Sequence, residues 1–235
     1  MTKKIPIKGD VVDNATAMLY EYFKMDCVSP KALNDALAEG DEDIELSVAS
    51  NGGDVFAASE IYTALKNYPG KITVNIEGLA ASAASVIAMA GDTIRISPTA
   101  QMMIHKAWSQ SQGNADDLGH EAGVLQSIDD SISMAYQQKT KLSDDEIQGL
   151  MRNETWMGAK EAVDRGFADE IMFVDESQPV IINSISEVPS KNAVNKFLNL
   201  IKNEKKQSQP EVKKHATLFD HKLAILMQEK ENFDE

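Results

Sequence analysis

Cysteine is nearly missing from this chain, with Cys27 alone among 235 residues. An intramolecular disulfide is therefore excluded, and a zinc site built on paired thiolates has no second ligand. Cys27 is read as a buried structural thiol. Basic residues are also short, 23 Lys and Arg against 37 Asp and Glu, which gives a formal net charge of −14. That balance opposes broad contact with a phosphate backbone, so nucleic-acid binding is not expected. No uncharged apolar run approaches the ~18 residues of a membrane helix. The basic start, Lys3 and Lys4, meets Pro6 and Gly9 before any apolar stretch develops. No secretory signal is read there, and residence in the cytoplasm is expected. A nucleotide-binding G-x-x-x-x-G-K-[ST] sequence is missing too, so any ATP dependence would come from a partner. No cofactor and no metal are expected.

What is present is the composition of an ordinary globular enzyme, 43% hydrophobic and 26% charged. The length allows one substantial core and an appendage. A first strand is expected at 5–8 and a helix at 15–23, with Ala17, Leu19, Tyr20 and Phe23 at helical spacing. Ser29-Pro30 reads as a cap and first helical position for 31–38. A strand at 44–48 runs into Asn51-Gly52-Gly53 and a helix at 55–66. The plan then repeats, with a strand at 72–76, a loop at 77–81 and a small-residue helix at 82–89. Two successive strand–loop–helix units argue for parallel strands with right-handed crossovers, an α/β fold.

Short strands at 93–96 and 101–105 follow, then a polar loop at 106–115. Leu118, Ala122, Leu125, Ile128, Ile132 and Ala135 mark one face of a long helix. Ser143 through Glu146 reads as a capping box for a helix reaching 152, and a further helix at 159–165 ends on Gly166, ahead of a last strand at 170–174. Residues 1–175 are taken as one domain and 176–235 as a charged extension, with a solvated linker at 204–211. Leu218, Leu223, Leu226 and Met227 give that extension one terminal amphipathic helix.

The chemistry centres on Gly78-Leu79-Ala80-Ala81-Ser82-Ala83-Ala84-Ser85 and on Met103-Ile104-His105. A seryl hydroxyl is a poor nucleophile unless an imidazole removes its proton during attack. Ligands gather at the carboxyl ends of parallel strands, and Gly52-Gly53, Ser82 and His105 each follow a strand. Ser82 is thus a candidate nucleophile and His105 its base, with Ser82 as a simple N-cap the competing reading. Backbone N–H groups of Gly53 and Ala83 are candidate oxyanion donors, against a plain tight turn at Gly52-Gly53. Ser85 lies one turn further on and is expected to pack. Ser82 lacks the G-x-S-x-G nucleophile elbow, which argues against an ordinary α/β-hydrolase.

Ser50-Asn51-Gly52-Gly53, Ile61-Tyr62, Gly78 through Ser82, Met103-Ile104-His105 and the block from Ala159 to Asp169 together resemble the proteolytic subunit of the Clp protease, over roughly residues 5–174. The extended N-terminal form, with Ile5 through Gly9 and Val28 through Lys31, looks most like the related head-maturation proteases of tailed phages and prophages. The resemblance implies a crotonase-like spiral of βαβ units assembling into rings, usually two stacked heptamers. It implies a serine endopeptidase with Ser82 as nucleophile, His105 as general base, and Gly53 and Ala83 as oxyanion donors.

The family's third catalytic residue is an aspartate, and Glu154 stands at its place. Asn51, Ala83 and Lys106-Ala107 also depart from the residues usual there. Partners implied are polypeptide substrates, further copies of the chain, and either capsid proteins or an ATP-dependent unfoldase. Two alternatives keep the fold: a coenzyme-A thioester hydratase or isomerase of the crotonase type, and a catalytically vestigial capsid-assembly scaffold.

Overall fold

The computed structural model describes residues 2–174 apart from 39 and 41. The boundary at 175, the linker at 204–211 and the helix around Leu218 to Met227 lie outside the described residues. The chain order is β1 (Lys3–Val11), α1 (Asn14–Phe23), β2 (Cys27–Val28), α2 (Pro30–Leu37), β3 (Ile44–Gly53), α3 (Val55–Lys66), β4 (Ile72–Ala81) and α4 (Ala83–Ala88). It continues through β5 (Thr93–Ile96), β6 (Gln101–Ile104), α5 (Ala115–Thr140), α6 (Asp144–Arg152), β7 (Thr155–Gly158), α7 (Ala159–Asp164) and β8 (Glu170–Ile171). The strands form one sheet in the order β2-β1-β3-β4-β5-β8, with β6 on β4 and β7 on β6. Every pairing is parallel except β6 with β7. This is the expected α/β architecture of repeated strand–helix units.

Local chemistry starts the helices where the sequence places them. Ser29 Oγ accepts from the Ala32 N–H with Pro30 at the first helical position. Ser143 and Glu146 form a reciprocal capping box, and so do Asn114 and Asp117. Each cap satisfies donors that the helix itself leaves open. The Ser143 hydrogen bonds hold the Glu146 carboxyl below its ordinary range. The core is the sheet's apolar alternation, with Ile44, Leu46, Val48, Val74 and Ile76 fully buried. All six residues of α4 are buried as well, which is why a run of small residues suits that position.

Five expectations need correction. The loop expected at 77–81 is strand: β4 continues to Ala81 by exchanging partners, pairing with β5 over Thr73–Ile76 and with β6 over Leu79–Ala81. The apolar residues of α1 do not face a core, since none of its residues is buried and Met18, Leu19, Tyr22 and Phe23 are exposed. The stripe on α5 is buried only in the second half, where Asp129, Ile132, Ser133, Ala135 and Tyr136 face inward while Leu118 is exposed. Cys27 is half-buried rather than buried, and desolvation raises its thiol pKa. Strand β8 is also shorter than expected, ending at Ile171.

Truncating Ile76, buried at the point where β4 exchanges partners, is expected to lower unfolding free energy by about 2–5 kcal/mol in urea denaturation. Truncating Leu19, exposed on α1, is expected to change it by less than about 0.5 kcal/mol. Equal losses at the two positions would contradict the burial pattern.

Candidate active site

Ser82 stands between the last residue of β4 and the first of α4, with φ 53° and ψ −125°. A side chain that is not glycine pays roughly 1–3 kcal/mol for such a conformation, so its surroundings must hold it. Its N–H donates to Met103 O at 2.9 Å, and its carbonyl accepts from the N–H groups of Ser85 at 2.9 Å and Val86 at 3.3 Å. The Ser82 side chain makes no capping hydrogen bond. Its Oγ instead lies 2.7 Å from His105 Nε2. His105 follows β6 directly, so the pairing of β4 with β6 brings together two residues separated by 23 positions.

The glycine pair completes this edge. Gly52 has φ +95°, and a Cβ there would stand 2.8 Å from Ala83 N and 2.6 Å from Ala81 O. Gly53 has φ +147°, and its Cβ would stand 2.1 Å from Val11 O. No other residue fits either place without moving backbone. Ala83 opens α4, where the first N–H groups of a helix have no intrahelical acceptor. Gly53, Ser82, Ala83 and His105 line one cleft of about 290 Å³ with Val86 and Ile132 at its apolar wall and Phe56 and Trp108 at its rim. A larger groove of about 730 Å³ beside α7, lined by Lys160, Glu161, Asp164 and Arg165, contains none of these residues.

Glu154 is adjacent but differently engaged. Strands β6 and β7 pair Ile104 with Thr155 at the end of their antiparallel register, and His105 follows the one residue while Glu154 precedes the other. The backbone of Glu154 has φ 45°. Its carboxylate accepts from Trp156 Nε1 at 3.3 Å, and among the described residues no hydrogen bond joins it to His105.

Three residues near the pair were not singled out as functional from sequence. Ser85 Oγ donates to Ser82 O at 2.6 Å and contacts Tyr136 Oη at 2.8 Å. Asp129 is buried, accepts from the Ala107 N–H at 2.8 Å and pairs with Lys106 Nζ at 3.0 Å, fastening the segment after His105 to α5. A carboxylate inside the apolar stripe of α5 was its readable signal. Tyr136 carried no such signal, because its partner Ser85 is 51 positions away. Among the described residues no cluster of His, Cys, Asp and Glu is placed to hold a metal ion. Among them, no helix is long and apolar enough to cross a membrane.

A seryl hydroxyl bonded to an imidazole at the edge of a parallel sheet, beside open backbone N–H groups, is the equipment of a serine-type hydrolase. Residues 31–175 match the family model described as Clp protease, and the chain belongs to the Clp protease family, whose members are peptidases. It is similar to the ATP-dependent Clp protease proteolytic subunit of Bacteroides fragilis, with 27% identity over 176 residues, 73% of this chain and 80% of that one. The corresponding subunit of Deinococcus radiodurans is 26% identical over 134 residues, 56% of this chain and 66% of the relative. Subunit 1 of Leifsonia xyli subsp. xyli is 27% identical over 146 residues, 61% and 74% respectively.

Burial raises the Tyr136 phenol pKa well above its ordinary value, with the Ser85 bond a smaller opposing effect. A raised folded-state pKa means that this group's contribution to stability is intact below the unfolded value of about 10 and is lost as pH rises past it. The melting temperature is therefore expected to fall more steeply above about pH 10 in the parent chain than in Tyr136→Phe. Parallel curves for the two proteins would contradict the buried, neutral phenol.

Proposed function

We propose that the chain is an endopeptidase in which Ser82 is the nucleophile and His105 the general base. The observation that carries this reading is the 2.7 Å contact between Ser82 Oγ and His105 Nε2. His105 Nε2 takes the Ser82 proton as Oγ attacks a peptide carbonyl, and the N–H groups of Gly53 and Ala83 hold the resulting oxyanion. The imidazolium then gives its proton to the departing amine, leaving an acyl group on Ser82. Water, deprotonated by His105, releases the new carboxyl terminus and restores the enzyme.

For Nε2 to accept a proton, Nδ1 must carry the ring hydrogen, and a carboxylate beside Nδ1 stabilises the cation that follows. Glu154 is proposed for that role because it precedes Thr155, the residue paired with Ile104, and Ile104 is followed by His105. Rotation of its side chain away from Trp156 would be required. That requirement is what keeps a second reading, the vestigial scaffold, in view. Membership in the Clp protease family favours peptide hydrolysis over coenzyme-A thioester chemistry.

The wider setting is proposed on the same basis. The chain works in the cytoplasm as a ring of identical subunits acting on polypeptides, as a Clp proteolytic subunit served by a separate unfoldase or in phage prohead maturation. Support for self-assembly comes from exposed apolar side chains on α1 and on α5, including Met18, Tyr22, Leu118 and Met134. The residues beyond 175 are proposed to form a separate extension.

A casein or small-peptide assay separates the readings. Ser82→Ala is expected to reduce turnover by about a thousandfold or more, and Glu154→Gln by at least about tenfold. Parent activity in Glu154→Gln would remove Glu154 from the mechanism while leaving the serine in place. No hydrolysis by the parent would favour the scaffold. Native mass measurement is expected to give a closed multimer, and a monomer at micromolar concentration would contradict the ring.

A further inference from the structure

The carbonyl of Ser82 and the N–H of Ala83 belong to one peptide unit, and that unit is held by the buried side chain of Ser85 and, through it, by Tyr136, which also lines the cleft. Ser85, with none of its surface exposed, donates its Oγ hydrogen to Ser82 O at 2.6 Å. A hydroxyl has a single hydrogen, so the 2.8 Å contact between Ser85 Oγ and Tyr136 Oη must have the tyrosine as donor. The chain of bonds therefore has one direction, from Tyr136 O–H to Ser85 O–H to Ser82 C=O. Tyr136 is itself 1% exposed and packs at 5.7 Å against the ring of Phe167, so its position is set by the core.

We infer that Ser85 and Tyr136 are positioning residues for the oxyanion donor, fixing and polarising the Ser82–Ala83 peptide so that its N–H points at the developing charge. The inference rests on the reading of Ala83 as an oxyanion donor. Two effects act together. Hydrogen bonds received by a peptide carbonyl draw electron density toward oxygen and strengthen the N–H of the same unit as a donor, and serial bonds reinforce one another. The same bonds add to those from the Ser85 and Val86 N–H groups in holding the Ser82 carbonyl, and with it the residue's conformation at φ 53°. The ring of Tyr136 lines the cleft, but the two hydroxyls are bonded to each other and to Ser82 O, so what they contribute belongs to the transition state rather than to ground-state binding.

The test compares Ser85→Ala, Tyr136→Phe and the double variant with the parent by three measurements: melting temperature, steady-state peptide hydrolysis, and inhibition by a peptide boronate that forms a tetrahedral adduct on the serine. Ser85→Ala leaves the Tyr136 hydroxyl buried without an acceptor, so its melting temperature is expected to fall. The double variant removes that orphan, and its melting temperature is expected to recover.

In both proteins kcat is expected to stay about tenfold down with KM within about twofold, a smaller loss than the hundredfold or more that follows removal of an oxyanion donor. The boronate is expected to weaken by the same factor as kcat. Tyr136→Phe, which preserves ring volume, is expected to lower kcat and boronate affinity together by a smaller factor. A double variant with parent kcat, or a kcat that recovers in step with melting temperature, would overturn the inference and reduce both residues to packing. So would a loss expressed in KM alone. Failure of the site reading looks different, because the parent itself would then neither turn over peptide nor bind the boronate.

Discussion

Strand β4 pairs with β5 over Thr73–Ile76 and with β6 over Leu79–Ala81, and Ser82 stands where the second pairing ends. Between successive paired positions β4 has three residues, 77–79, where its other neighbour β3 has only Ala49. This irregularity carries the end of β4 away from β5 and onto β6, whose next residue is His105. Without it, Ser82 and His105 would follow strands that do not touch. The close approach of Gly52 to the Ala83 N–H depends on the same geometry, since a side chain on Gly52 would collide with the turned-out end of β4.

Strain gathers at the same place. Among the described residues five that are not glycine have positive φ: Lys24, Ser82, Lys141, Glu154 and Phe173. Lys24 and Lys141 close helices, a position where the left-handed conformation satisfies terminal carbonyls. Glu154 does the same for α6, following the Asn153 cap with its N–H donating to Met151 O at 3.2 Å, whereas Ser82, bonded to His105, ends no helix. Unusual backbone that ends no helix is the kind that surroundings must enforce, and the enforcing contacts at Ser82 are the Met103 carbonyl and the Ser85 hydroxyl.

Much of this was legible in the sequence. Helix starts at Ser29 and Ser143 could be read because capping is local chemistry, and the parallel sheet because strand–helix units repeat. Ser82, His105 and Gly53 could be placed together because strand ends collect ligands in such sheets. The strand at 77–81 could not be read, since Glu77-Gly78-Leu79 breaks the alternation and its pairing with Gln101 and Met102 is not local. Nor could the exposure of α1 and of the first turns of α5, because an apolar stripe announces burial without naming the surface that supplies it. Ser85 was legible as buried but not as a donor, a role that only the approach of Tyr136 from α5 reveals.

The central claim is that the Ser82 hydroxyl is made nucleophilic by His105, and covalent labelling with peptide mapping tests it most directly. A fluorophosphonate is predicted to leave one adduct, on the peptide bearing Ser82, and His105→Ala is predicted to abolish it while the protein remains folded. An adduct on Ser85 or another serine, or labelling of Ser82 that persists undiminished in His105→Ala, would contradict the account.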